Sequence, residues 1–424
     1  MRFLPVIGRV FVPLLGLIAL SAGAGCGSNA GSSDAGAVFV PTFEASMPGV
    51  DGGVTHADGG VVVVTPPDGS IIPIPDATTG PTPDTGVMPP PGMDSGMTIV
   101  PSSGIVITVI PDGTGDAAGL LTAMKNAQTT VHMTMYLLTN QAYINELISL
   151  KGAGKDVKVI LNQTFPTGTS ASNTNASTYT SLKSAGVDVQ WSPTTTGFDN
   201  YTHEKTVIID PGGADESAWI MTMNLDTDAP KYNREYLAQD TNSADVAEAE
   251  SIFEADFASQ SITATGSLVV APAPPNNCTS VLLDLVNSAT TSIDMEAEEI
   301  DESGSSSETK IFAALVAKAK AGVSVHVVLE DSTESTQSTA VSGLQAAGAT
   351  VVGYVYSGGS GLDIHAKALV ADGARAYVGS ENFTGGSLEY NREIGVYFTT
   401  ASEVAKVQST IASDFAGGST YSSQ

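Results

Sequence analysis

Basic residues are scarce in this chain: 17 Lys plus Arg stand against 45 Asp plus Glu in 424 residues, a formal net charge of −28. Nucleic acid is therefore a poor default partner, because affinity for its backbone comes mostly from Lys and Arg neutralising phosphate. Cysteine is scarcer still. Cys26 and Cys278 alone exclude a disulfide framework. Only 15% of residues are charged, against 42% apolar, which leaves ample material for a packed core in one large or two medium domains. Past the first 25 residues no apolar run reaches the roughly 18 residues that span a bilayer.

What is present first is an address. Residues 1–26 read as an export signal: Arg2 and Arg9 give the positive end, Phe11 to Leu20 the apolar stretch, and SAGAGC the small-residue region. The apolar run is short and breaks into Gly, Ala and Ser, which disfavours a transmembrane anchor. Small residues before Cys26, with Gly27 and Ser28 after it, resemble the lipobox of bacterial lipoproteins, in which that cysteine carries the lipid. Gly23 stands where that motif usually has Leu. The expectation is an exported protein of the cell envelope, lipid-anchored through Cys26 at the outer membrane or cell surface, or otherwise periplasmic or secreted.

Residues 27–100 hold no Lys or Arg, eight acids and 11 of the 22 prolines, in runs such as TPPDGSIIPIPD. Such a stretch cannot bury enough apolar surface to offset the entropy of ordering it, so a disordered, partly polyproline-like tether is expected.

The remainder repeats itself. Residues 119–162 read as helix, strand, helix, strand, and residues 281–329 read the same way. YTSLKSAGVDVQW and VSGLQAAGATVVGY then give a short helix, a Gly and a strand in each half. Val131 and Ile293 each lie 72 residues before a histidine, His203 and His365; Tyr136 and Glu298 each lie 67 before the same two. The expectation is α/β: two similar α/β/α sandwich lobes over 103–265 and 266–420. SLVVAPAPPNNC is the expected crossover.

Each half then carries one polar pattern: HEKTVIID with His203, Lys205 and Asp210, and HAKALVAD with His365, Lys367 and Asp372. His and Lys two apart on a strand face the same way, while the Asp has opposite parity. Thr222 and Asn224 follow in MTMN, matched by Ser380 and Asn382 in GSEN; nine residues after each Asn comes NRE, ending in Glu235 and Glu393. Scarcity gives the pattern weight. Beyond the signal region the chain has three Arg and twelve Lys, yet two of each, and two of the five His, fall at matching places. His132 and His326 lie inside apolar strands and read as structural; His56 lies in the tether.

This paired H-x-K-x4-D with G-S-x-N resembles the signature of the phospholipase D superfamily, once per lobe. The second copy matches fully. The first has Met221 and Thr222 where Gly and Ser are usual, and its Asp210 to Thr222 interval is four residues longer than Asp372 to Ser380. The resemblance covers 103–420 and implies two lobes about a pseudo-twofold axis with both motifs at one cleft. It implies a phosphodiesterase in which Lys205, Lys367, Asn224, Asn382, Thr222 and Ser380 hold phosphate without metal or cofactor. One histidine attacks phosphorus and the other serves as acid and base. His203 is assigned as nucleophile and His365 as acid, the reverse staying open. Glu235 is expected to orient His203 and Glu393 to orient His365; Asp210 and Asp372 are expected to hold the motif loops. Arg234 and Arg392 fit either a phosphate contact or an ion pair. Because the intermediate is covalent, water gives hydrolysis and an alcohol gives transfer. Phospholipid is the favoured substrate over nucleic acid given the acid excess. Cardiolipin-type transfer, metal-independent nuclease activity and an inactive phosphate-binding protein are the alternatives. Two motifs in one chain let a monomer complete the site.

Overall fold

The computed structural model describes residues 100–113, 117–165, 174–193, 202–273, 275–302, 306–331, 335–358 and 361–421. The expected export signal, Cys26 and the tether up to residue 99 lie outside the described residues.

The first half runs β1 (Ile105–Ile110), α1 (Ala118–Asn126), β2 (Thr130–Met135), α2 (Gln141–Gly152), β3 (Asp156–Leu161), α3 (Ala176–Ser184), β4 (Asp188–Trp191), β5 (Lys205–Ile209), β6 (Ser217–Met221), α4 (Ala229–Tyr232), β7 (Asn233–Asp240) and α5 (Ser243–Phe257). The second runs β8 (Leu268–Ala271), α6 (Cys278–Ser288), β9 (Ser292–Ala297), α7 (Ser306–Lys320), β10 (Ser324–Asp331), α8 (Ser335–Ala346), β11 (Thr350–Val355), β12 (Asp363–Ile364), β13 (Lys367–Ala371), β14 (Arg375–Gly379), α9 (Gly385–Glu389), β15 (Glu393–Phe398), α10 (Ala401–Gly417) and β16 (Ser419–Thr420).

The repeat is visible in the sheets. One has the strand order β1-β7-β6-β5-β2-β3-β4 and the other β8-β15-β14-β13-β9-β10-β11, extended by β16. In each, a parallel three-stranded part (β2, β3, β4; β9, β10, β11) meets an antiparallel part through the motif strand, β5 or β13. Leu268–Ala271, expected as crossover, is instead the edge strand β8, paired with β15. Its four residues are apolar and fully buried, and the pairing with β15 ends at Ala271.

Both sheets are covered on both faces, which is why β5 (KTVII) and β13 (KALVA) are buried at every position. Leu120, Tyr143, Leu147 and Leu182, on α1 to α3, pack against Val131, Val159 and Val207 on one face of the first sheet. Leu282, Leu285, Leu315 and Leu344, on α6 to α8, do the same for the second. The inner faces share one core. Val246, Ile252 and Phe253 of α5 join Val404, Val407 and Ile411 of α10 in a cluster that holds Ile208 and Ile220 from one sheet and Val328 and Val370 from the other.

The ends of the motif strands are fixed by their aspartates. Asp210 and Asp372 adopt left-handed backbone, φ 48° and 53°, which Asp tolerates better than most residues. Asp210 accepts the backbone N–H groups of Gln128, Thr129 and Thr130 at 2.6–2.8 Å; Asp372 accepts those of Thr290, Thr291 and Ser292 at 2.7–3.1 Å. These bonds hold both carboxyls below the usual carboxylate range even though burial opposes it. Both turns are thereby clamped to the start of β2 or β9.

Candidate active site

The strands do not begin where the pattern placed them. β5 starts at Lys205 and β13 at Lys367, so each histidine lies two residues before its strand, on a segment that pairs with the opposite lobe. Thr202 bridges Arg392, and the His203 N–H donates to the Arg392 carbonyl at 2.9 Å. In the mirror arrangement β12 pairs with Asn233 and Arg234 of β7, and the His365 N–H donates to the Arg234 carbonyl at 3.3 Å.

This exchange corrects the orientation expected for the glutamates. His203 Nδ1 lies 3.0 Å from both carboxylate oxygens of Glu393. His365 Nδ1 lies 2.7 Å from Glu235 Oε1, an ion-pair distance without a straight hydrogen bond. Each lobe's glutamate thus serves the other lobe's histidine, because the residue before Glu235 or Glu393 is the arginine on which the foreign histidine segment docks.

The lysines turn back on their own motif: Lys205 Nζ donates to the His203 carbonyl at 2.6 Å and Lys367 Nζ to that of His365 at 2.7 Å. Both are fully buried. Burial, and next the neighbouring charge of Lys367, push the Lys205 ammonium down to about 7 while carboxylates oppose the shift. Burial foremost, helped by Lys205 and Lys367, also pulls His203 below its ordinary value of 6.5 against the pull of Glu393. Charge on Lys367 reaches both motif residues of the first lobe, in keeping with the crossed His203–Glu393 and His365–Glu235 contacts that bring the two motifs together.

Asn224 and Asn382 are buried at the same level, each with Oδ1 unpaired among the described residues. The hydroxyls expected on phosphate are placed otherwise. Thr222 donates to Glu235 and accepts the Tyr236 N–H at 2.9 Å; Ser380 accepts the Ile394 N–H at 3.1 Å. Both are fully buried and knit β6 to β7 and β14 to β15, so Thr222 secures the carboxylate that faces His365. Ser387 does the corresponding work in the second lobe by donating to Glu393. Burial raises Glu204 and Glu381 to about 8, which disfavours negative charge on both near neutral pH.

The arginines resolve as ion pairs. Arg234 binds Asp414 through Nε at 2.5 Å and Nη2 at 3.1 Å; Arg392 binds Asp256 at 2.8 and 3.0 Å. Sequence spacing missed one constellation elsewhere. His132 Nδ1 lies 2.9 Å from Glu250, and with Glu254 the three could share a metal ion. The two glutamates lie four apart on α5, 118 residues and more from His132, and Lys158 already donates to Glu254 at 2.5 Å. His326 pairs with Asp294 at 3.0 Å.

A two-lobed α/β protein with one His and one Lys from each lobe brought together at the seam between the lobes is the class these observations define. The family described as "Cardiolipin synthase, PLD-like domain" matches residues 120–257 and 282–415, one match per lobe, and the chain belongs to this phospholipase D-like family. Membership implies an enzyme acting on phosphodiester bonds. No curated protein matches the chain. Among solved structures, phosphatidylserine synthase of Haemophilus influenzae Rd KW20 superposes with a TM-score of 0.55 at 11% identity, covering 75% of this chain and 87% of that one. Polyphosphate kinase of Porphyromonas gingivalis gives 0.54 at 15% identity and covers 77% of this chain; the chain spans half the length of that kinase. The phospholipase D family member Nuc of Salmonella typhimurium, 23% identical, matches 37% of this chain with a TM-score of 0.32.

Proposed function

We propose that this chain is an exported phospholipase D-type enzyme that cleaves phospholipid diesters through a phosphohistidine, with water or an alcohol as acceptor. The observation that carries the reading is the crossed pair: His203 against Glu393 and His365 against Glu235. A carboxylate on Nδ1 assigns the chemistry to the other nitrogen, Nε2, of each ring. Lys205, Lys367, Asn224 and Asn382 supply the positive pocket for the non-bridging oxygens, a task of positioning and charge. Glu235 and Glu393 fix the rings, Thr222 and Ser380 fix the strands that carry those glutamates, and Asp210 and Asp372 fix the loops. Acid excess in the lobes favours a lipid over nucleic acid, and a lipid-modified Cys26 would hold the enzyme at a bilayer.

The test is headgroup release from mixed phospholipid vesicles in EDTA, with an added primary alcohol and a plasmid-nicking control. Release that survives EDTA and is lost in the His203→Ala, His365→Ala double variant supports the reading; the ratio of phosphatidic acid to phosphatidyl alcohol separates hydrolysis from transfer. Nicking without headgroup release would replace it with a nuclease.

The pH profile follows from two shifts. His203 must be neutral to attack, and its lowered value keeps it so below pH 6.5; activity therefore rises through an acid limb lying below that pH. Lys205 must be charged, and with a value of about 7 it loses its proton, and the pocket its charge, as pH rises past neutrality. The expected kcat/KM profile is a narrow bell. Lys205→Arg, whose guanidinium stays protonated, is expected to lower the peak but move the alkaline limb up by at least one unit; an unmoved limb assigns it to another group.

A further inference from the structure

The halves of the site correspond closely, yet a position beside each histidine ring differs in kind. Tyr136 and Glu298 occupy the same place, 67 residues before His203 and His365. In the first lobe the Tyr136 ring stands edge-on to His203, centroids 4.7 Å apart, with Lys205 Nζ 5.2 Å from its centre. In the second, Glu298 Oε2 lies 3.4 Å from His365 Nε2, accepts from Lys367 Nζ at 2.6 Å and from Asn382 Nδ2 at 3.3 Å.

We propose that Glu298 is a positioning residue that makes the site directional: it keeps the proton on the cleft-facing nitrogen of His365, so that His365 protonates the leaving oxygen and His203 attacks phosphorus. This rests on the phosphodiester reading above. Carboxylates face both nitrogens of His365, Glu235 from β7 and Glu298 from the end of β9. Glu330 at the end of β10 and Asp226 after β6 lie within electrostatic reach of the same ring. Against them stands Lys367 of β13, itself bound to Glu298. Opposite charge close to an imidazole favours its cationic form. His203 is set differently: Glu393 lies on its Nδ1, two lysines are nearby and an aromatic ring stands on its flank. A neutral ring is the better nucleophile.

Glu298 also holds Lys367 and Asn382, two of the groups assigned to phosphate, and its side chain is 25% exposed. His203 Nε2 then forms the P–N bond, the P–O bond to the alcohol breaks, and the alkoxide takes the His365 proton. In the second step water attacks phosphorus, gives a proton to His365 Nε2, and the P–N electrons return to His203.

The experiment compares two diesters of one phosphatidyl group on the full chain: an alkyl ester, which needs a proton to depart, and the p-nitrophenyl ester, which does not. Glu298→Gln is expected to lower kcat on the alkyl ester about tenfold to a hundredfold, at least tenfold more than on the nitrophenyl ester, and Glu298→Asp to recover part of the loss. Equal losses on both esters would overturn the proposal, as would a rise on both, which would make Glu298 a competitor for phosphate. If the wild-type chain cleaves neither ester, it is the phosphodiester reading that fails. Proton NMR of the histidine rings then decides on Glu298 separately: the Nε2–H signal of His365 is expected in the wild type and weakened in Glu298→Gln, and an unchanged signal overturns the role.

Discussion

His203→Ala is expected to reduce turnover at least about 10⁴-fold and to remove any acid-labile phosphoryl adduct, because it deletes the group that forms the covalent bond. His365→Ala is expected to behave differently. With an alkyl leaving group it too is nearly inactive, since acid catalysis is worth about 10² to 10⁴. With a leaving group that needs no proton, His203 still attacks, and the adduct accumulates because water is no longer activated. A quench-flow measurement with labelled diester, followed by peptide mapping, reads this contrast directly: label on His203 in the His365→Ala variant and none on either histidine in His203→Ala. Label on His365 in His203→Ala would reverse the assignment. The reversal is disfavoured by surroundings, since burial and two lysines hold His203 towards neutrality whereas His365 lies between Glu235 and Glu298.

Most of the lobe architecture was readable because it is local and repeated. The 3.6-residue and two-residue periods, the Gly stops and the matched 72-residue offsets place α2, α7, β2 and β9 without tertiary information. The motif residues were readable because a rare residue type recurred at a fixed spacing in a chain with few cations. What failed is what depends on contact between the lobes. The resemblance implies Glu235 for His203, yet Arg392 accepts the His203 backbone and so delivers Glu393. The same exchange explains why the histidines precede β5 and β13. The resemblance implies a phosphate contact for Thr222 and Ser380, whereas in the structure both hydroxyls bond to β7 and β15, a use that no sequence spacing displays. The equal offsets of Tyr136 and Glu298 were visible, but the consequence of a carboxylate in one of two equivalent places required its distances to His365 and Lys367.

The largest effect on stability is expected from Arg392→Met. Arg392 is 1% exposed; it binds Asp256 of α5 through two nitrogens and the Ala271 carbonyl of β8 at 2.8 Å. Its own carbonyl holds His203, so one residue ties the inner helix of the first lobe, the edge strand of the second and the nucleophile together. Removing the guanidinium leaves the Asp256 carboxyl buried without its partner, and breaking such a pair from one side costs about 3–5 kcal/mol. Burial already raises Asp256 despite Arg392, so in the variant it takes up a proton, which trims the cost near and below neutral pH and leaves it in full at alkaline pH. Adding Asp256→Leu to Arg392→Met is expected to restore much of the loss, because an apolar pair of similar volume avoids the desolvation of both charges. Arg234→Met is the control: Arg234 and Asp414 keep 13% and 7% of their side-chain surface in water, so solvent compensates part of the loss and a smaller change is expected. Urea unfolding of the wild type and these three variants at pH 6 and pH 9 measures these differences. Equal destabilisation by Arg392→Met and by the double variant would show that shape at this junction, rather than the buried charge pair, holds the two lobes in register.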